Sequence, residues 1–144
     1  MSIIVRNMLD AKGRDVVTVT PERTLLEVAR ILNEKRIGAV VVTSGEDKVA
    51  GIFTERDLVK ALAGNGAAVL DKPISAVMTV NVQRCREDTT VNQLMEIMSI
   101  GRFRHVPVEV DGRLAGIISI GDVVKSRIRE VEMEAEQIKA YISG

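Results

Sequence analysis

The chain contains the same amphipathic helix twice. In TLLEVARIL the apolar residues Leu25, Val28, Ala29 and Leu32 stand at i, i+3, i+4 and i+7, and in TTVNQLMEIM the residues Val91, Leu94, Met95 and Met98 repeat that spacing sixty-six positions later. A stripe of this period turns one helix face toward a core. Each copy also opens with the same start signal. Thr24 is followed three residues on by Glu27, and Thr90 by Gln93, the capping-box pattern in which side chains and backbone N–H groups satisfy one another. Internal repetition constrains the architecture before any local signal does.

The segments after each helix are duplicated too. A β-rich run, 39–43 or 105–110, leads through a turn, SGEDK or DGR, into a second run, 49–53 or 114–118. Asp111-Gly112 is a strong type I′ hairpin pair, and 44–48 reads as the same hairpin with one more residue, which changes the offset to sixty-five. Helical patterns resume in ERDLVKALAG and GDVVKSRIRE, while Ile4 with Met8 and Ile74 with Met78 open the two units. A unit of roughly sixty residues makes a marginal core alone, so the pair is expected to fold together. The predicted fold class is α+β: two pseudo-symmetric β-α-β-β-α repeats packed through their sheets, plus a C-terminal amphipathic helix. Repeat 1 spans 1–66, a linker 67–73, repeat 2 spans 74–128, and the helical extension 129–144.

Composition narrows the function classes. Lys plus Arg and Asp plus Glu are 20 each, and the aromatics are only Phe53, Phe103 and Tyr141, so neither a basic footprint nor a base-stacking platform points to nucleic acid. The single Cys85 and single His105 exclude an internal disulfide and a Cys/His zinc cluster, which fits a reducing compartment. The opening MSIIVRNMLD is too short and too soon charged for a secretory segment, and no apolar run approaches the ~20 residues of a membrane span. A cytoplasmic protein without a membrane partner is expected. With no P-loop, no Gly-x-Ser-x-Gly and no motif-placed Cys–His pair, an enzyme is not.

Two further strings correspond: GIFTERD at 51–57 and GIISIGD at 116–122. A hydroxyl at a strand end, together with the open N–H groups of the following helix, makes an anion site. A carboxylate three residues later offers acceptors to both hydroxyls of a ribose diol. Thr54 and Asp57 fit those roles, and Ser119 and Asp122 fit them again. Thr-x-x-Asp is equally a helix cap, and duplication copies a cap as readily as a site. The residue pattern leaves both readings open.

The ordered strings VRNML…TVTPERTLLEVARILNEKRIGAVVVT…VAGIFTERDLVKAL and ISAVMT…DTTVNQLMEIMSIGRFRHVPVEVDGRLAGIISIGDVVK resemble a tandem pair of CBS (cystathionine-β-synthase) domains, a stand-alone Bateman module. The resemblance covers nearly the whole chain. It implies a regulatory protein that needs no catalytic cofactor, binds AMP, ADP, ATP, S-adenosylmethionine or NAD(H) in two pseudo-symmetric clefts, and pairs into a homodimer. It also implies that the hydroxyl faces phosphate, that the Asp takes the ribose, and that adenine lies against the lead-in segment and hairpin of the other repeat. Cleft 1 would then join Thr54, Arg56 and Asp57 to Val77 and to Arg102, Phe103, Arg104 and His105. Cleft 2 would join Ser119 and Asp122 to Asn7 and to Ile37, Gly38 and Ala39.

On this reading the basic cleft 1 takes AMP or ATP first and NAD(H) second. A strand is expected to put Arg102 and Arg104 on one face, their planar forks suited to phosphate. His105, with a reference pKa near ~6.5, would add charge in mild acid. Gly121 stands where Arg56 does, so cleft 2 is expected to lack nearby cations and to take a less charged moiety or none. The contrasting reading is a ligand-free structural module for dimerisation or interaction, and neither reading names the regulated protein. In the tail, Val124, Ile128, Val131, Ala135, Ile138 and Ile142 form a heptad seam, suited to a second protomer or to the helix's own domain.

Overall fold

Both duplicated helices begin where the capping signals place them. A computed structural model describes residues 2–143, so the first residue of repeat 1 and Gly144 at the end of the extension lie outside the described residues. Thr24 accepts the Glu27 N–H and Thr90 the Gln93 N–H, starting α2 (Leu25–Lys35) and α4 (Val91–Gly101). Around them run α1 (Val5–Lys12), β1 (Thr18–Val19), β2 (Ala39–Thr43), β3 (Val49–Thr54), α3 (Glu55–Asn65), β4 (His105–Val110), β5 (Arg113–Ser119) and α5 (Ile120–Ser143). Short 3₁₀ turns at Ala67–Asp71 and Ile74–Ala76 precede the second half. The class is α+β, as the periodicities require.

The hairpins obey their turn residues. Asp111 and Gly112 have φ of 53° and 76°, the two positive values a type I′ turn needs. In the longer turn Gly45, Glu46 and Asp47 are all left-handed, and the β2–β3 register, Ala39↔Thr54 onward, shifts between Val42 and Thr43. β1 adds to β2 in parallel, giving the order β1-β2-β3, and the central Val40, Val41 and Val42 are fully buried. In the second half the counterpart of β1 shrinks to one parallel bridge, Cys85↔Val108, leaving a β4-β5 pair.

The chain forms two compact units: Met1–Arg14 with Gln83–Val110 and Ala115–Gly144, and Asp15–Val82 with Asp111–Leu114. Each therefore takes its lead-in segment from the other end of the sequence. In the first unit α1 donates the Val5 and Arg6 N–H groups to the carbonyls of Thr89 and Glu87, and Ile3 accepts the Val91 N–H. Val5, Met8 and Leu9 then join Val91, Leu94, Met98 and Ile118 in one core. In the second unit Lys72 accepts the Leu25 N–H and Arg23 the Ile74 N–H, so that Val69 and Ile74 close over Leu25, Val28 and Phe53. Truncating a fully buried Leu of this kind to Ala costs ~2–5 kcal/mol.

Two strand glycines let the lead-in segments cross. A Cβ on Gly51 would lie 2.7 Å from Met78 Sδ and 2.8 Å from the Thr79 carbonyl oxygen. On Gly116 it would lie 2.7 Å from Leu9 Cδ2. The first residue of GIFTERD and of GIISIGD is thus a packing requirement.

The expected tail is continuous with the last helix of repeat 2, and α5 runs unbroken for 24 residues. Glu130, only 3% exposed, accepts the Ile3 N–H at 2.7 Å and an Arg127 N–H at 3.1 Å, tying α5 to the start of the chain. Val124, Ile128, Val131, Ile138 and Ile142 of the seam are exposed.

Candidate ligand-binding sites

Thr54 ends β3 and caps α3. Its hydroxyl oxygen accepts the Asp57 N–H at 3.3 Å, while Asp57 Oδ2 accepts the Thr54 N–H at 3.0 Å and the Thr54 hydroxyl at 3.2 Å. Ser119 and Asp122 repeat the arrangement at the start of α5, with 3.2, 2.8 and 2.9 Å for the same three bonds. The cap is therefore real in both copies. It also narrows the anion-site argument, because a hydroxyl has one hydrogen to give and here the carboxylate takes it. Thr54 or Ser119 can donate to a phosphate only by releasing its Asp.

The helix starts are largely satisfied as well. The Glu55 N–H donates to the Gly38 carbonyl at 3.0 Å and the Ile120 N–H to the Arg104 carbonyl at 2.8 Å. With the third N–H capped, the second of the first three, that of Arg56 or Gly121, is the one left without a partner among the described residues. Charged side chains must supply most of any phosphate contact.

Each carboxylate meets a partner from the swapped lead-in segment that sequence reasoning missed. Asp57 faces Thr79, whose hydroxyl stands 3.3 Å from Oδ1 and 3.4 Å from Oδ2. Asp122 faces Lys12, whose Nζ lies 2.6 Å from Oδ2 and 2.9 Å from the Ile117 carbonyl oxygen. The second copy was expected to lack nearby cations, and Lys12 overturns that. Burial pushes the Asp122 carboxyl up, but the donors of Lys12 and Ser119 outweigh it and hold the group below the ordinary carboxylate range. Lys12 is 110 positions from Asp122, and nothing local in the sequence marks the meeting.

Arg56, Arg102 and Arg104 are exposed and enter no ion pair among the described residues. Glu109, the nearest acid in sequence to Arg104, is engaged by Arg84 at 3.1 Å. Arg102 and Arg104 do not share a strand, contrary to expectation. Arg102 is the left-handed C-cap of α4, with φ of 57°, and the strand begins only at His105. Arg36 has the same conformation after α2, so both duplicated helices end with arginine, not glycine, at the left-handed position.

The remaining candidates divide between the units. Gly38 and Ala39 abut Thr54 in the second unit, where Val77 and Ile37 pack half-buried on the core. Asn7, Phe103 and His105 belong to the first unit with Ser119 and Asp122. Asn7 Oδ1 accepts the Ile4 N–H at 3.1 Å, leaving its amide donors. In that unit a groove of about 650 Å³ runs between 83–89 and α4, lined by Arg84, Arg86, Glu96 and Phe103 and not by Ser119 or Asp122. Burial pushes the Cys85 thiol beneath it up to about 12, too high for a nucleophile. Among the described residues no group of acids, His and Cys could hold a metal ion, and no helix is long and apolar enough to cross a membrane.

A family model described as CBS domain matches residues 10–64 and again 74–129. The chain belongs to the CBS-domain family. As a tandem CBS pair it is similar to the solved CBS-domain containing protein ATU1752 from Agrobacterium tumefaciens, at 62% identity over 87% of this chain and 99% of that one, with a TM-score of 0.84. It is 36% identical to an uncharacterized 17.7 kDa protein of Acidianus ambivalens, over 86% of this chain and 77% of the relative. It is also similar to the CBS domain pair of protein MJ0100, solved in complex with 5′-methylthioadenosine and S-adenosyl-L-methionine. That match has 29% identity and a TM-score of 0.78, and covers 92% of this CBS pair and 99% of the other chain.

Proposed function

We propose that this CBS pair is a cytoplasmic regulatory module, without catalytic activity, that binds an adenosine nucleotide and conveys its level to an unidentified partner protein. AMP or ATP is the first choice and NAD(H) the second. The observation that carries the reading is the pair of duplicated carboxylates, Asp57 and Asp122. Each is fixed by a cap, through Oδ2, and keeps acceptor capacity on Oδ1 for a ribose hydroxyl. Arg56, Arg102 and Arg104, which have no acidic partner among the described residues, supply charge suited to phosphate. The adenosine ligands of the MJ0100 pair support the same ligand class. Signalling follows if the ligand binds one arrangement of the module better than another, since only that difference shifts a partner. A homodimer, made through the CBS repeats and the exposed α5 seam, completes the proposal.

Thermal unfolding with AMP, ADP, ATP, NAD(H) and S-adenosylmethionine tests it. A ligand at a hundred times its Kd adds about 2.7 kcal/mol, which is readily measured. Asp57→Ala should lower the increment, taken against the same variant without ligand because the substitution also weakens the α3 cap by ~0.5–2 kcal/mol. No increment with any of the five would favour the ligand-free interaction module.

A further inference from the structure

The two copies complete their carboxylate sites with different chemistry. In the second unit Thr79 lies along β3, exchanging two backbone hydrogen bonds of 2.9 Å with Ile52 and presenting its hydroxyl to Asp57. At the corresponding place in the first unit stands Leu9, wholly buried against Gly116, with no polar atom to offer. The lead-in segments differ in length of helix. The 3₁₀ turn ends at Ala76, before Thr79, whereas α1 continues to Lys12, three residues past Leu9 and on the same face. One ammonium then does what a backbone N–H and a hydroxyl do in the other copy, donating to the strand carbonyl of Ile117 and to Asp122.

Two of the three ammonium hydrogens are used, and the third has no partner among the described residues. Asp122 Oδ2 takes three donors, from the Ser119 N–H, the Ser119 hydroxyl and Lys12, leaving Oδ1 open. Because Lys12 and the Ser119 hydroxyl bond the same oxygen, the ammonium lies no farther from that hydroxyl than the 2.6 and 2.9 Å bonds laid end to end. The pair is partly sheltered, with side-chain exposures of 33% for Lys12 and 20% for Asp122.

We propose that Lys12 is a specificity-determining residue of the Asp122 site. It cancels the charge of the carboxylate and gives its third N–H to an anionic group beside the ribose, so the site prefers a phosphorylated adenosine to a neutral one. Asp57, completed by the uncharged Thr79, has no such cation from its lead-in segment. The inference rests on the adenosine reading above and adds the ligand's charge.

The test uses full-length Asp57→Ala protein, which removes the other carboxylate, and titrates AMP and adenosine by calorimetry. AMP should bind more tightly than adenosine. Adding Lys12→Met should weaken AMP about tenfold, the scale of one hydrogen bond to a charged group, and leave adenosine nearly unchanged. Lys12→Arg should restore most of the preference, and unfolding of each variant without ligand separates misfolding from lost recognition. Equal weakening of AMP and adenosine by Lys12→Met, or no weakening of either, overturns the role of Lys12 while the adenosine reading stands. Binding of neither compound to the Asp57→Ala protein overturns the Lys12 proposal, and binding of neither to the parent protein overturns the adenosine reading as well.

Discussion

Replacing Gly51 with alanine should loosen the second unit at the point where Thr79 meets the Asp57 cap. The added methyl would sit 2.7 Å from Met78 Sδ, which can swing away, and 2.8 Å from the Thr79 carbonyl oxygen, which cannot. That carbonyl accepts the Ile52 N–H at 2.9 Å, and the Thr79 N–H returns a bond of the same length, so moving it strains or breaks both. Two backbone bonds at ~0.5–1.5 kcal/mol each, with some overpacking, outweigh the ~0.5–1 kcal/mol that alanine gains over glycine in a strand. A net loss of about 2 kcal/mol follows, or roughly 6 °C in Tm for a chain of this size. Gly116→Ala is the internal control. The atoms nearest its methyl are side-chain carbons of Leu9, at 2.7 and 2.9 Å, which a rotamer change can relieve in part, so its loss should be about half as large. Urea unfolding followed by circular dichroism, with Tm by calorimetry, gives the order. A Gly51→Ala protein as stable as the parent, or more stable than Gly116→Ala, would refute the close-crossing argument.

The Lys12–Asp122 pair predicts a direction in acid. Since the folded state holds the Asp122 carboxyl below its ordinary value, the pair stabilises the fold above about pH 4, and that contribution is lost as pH falls through the lower folded value. Lys12→Met should therefore shift acid unfolding, followed by circular dichroism, to higher pH; an unchanged midpoint would assign the pair no part in stability. The α5 seam predicts a mass. Removing 133–144 keeps Glu130 and its bond to Ile3 while deleting the exposed Ile138, Tyr141 and Ile142, so light scattering should show the proposed dimer weakened, and an unchanged mass would remove the seam from assembly. Cutting at Arg129 would also delete that bond and confuse folding with assembly.

Much of the fold was legible because its signals are local. The stripes of α2 and α4 and the caps at Thr24 and Thr90 depend on residues within a few turns, and the turn at Asp111-Gly112 on the conformations two residues prefer. The Thr54–Asp57 and Ser119–Asp122 pairs were legible for the same reason, although spacing could not separate cap from ligand site. The arginine segment was misread because the left-handed end of α4 falls on Arg102 itself, not on the glycine before it. The first residue of each seven-residue string passed as strand composition, since the need for glycine lies in the segment that crosses it.

By itself, then, the sequence determined the duplicated unit, its helices and hairpins, and the two strand-end carboxylates. Periodicity, caps and turns are interactions between chain neighbours. Tertiary structure alone decided that each unit takes its lead-in segment from the other end of the chain, and from that follow Thr79 at Asp57, Lys12 at Asp122 and Ile3 on Glu130. Those partners are joined by burial of apolar faces such as Val5, Leu9 and Ile74, and burial carries no directional or spacing code. Two copies of one pattern thereby acquired different charge.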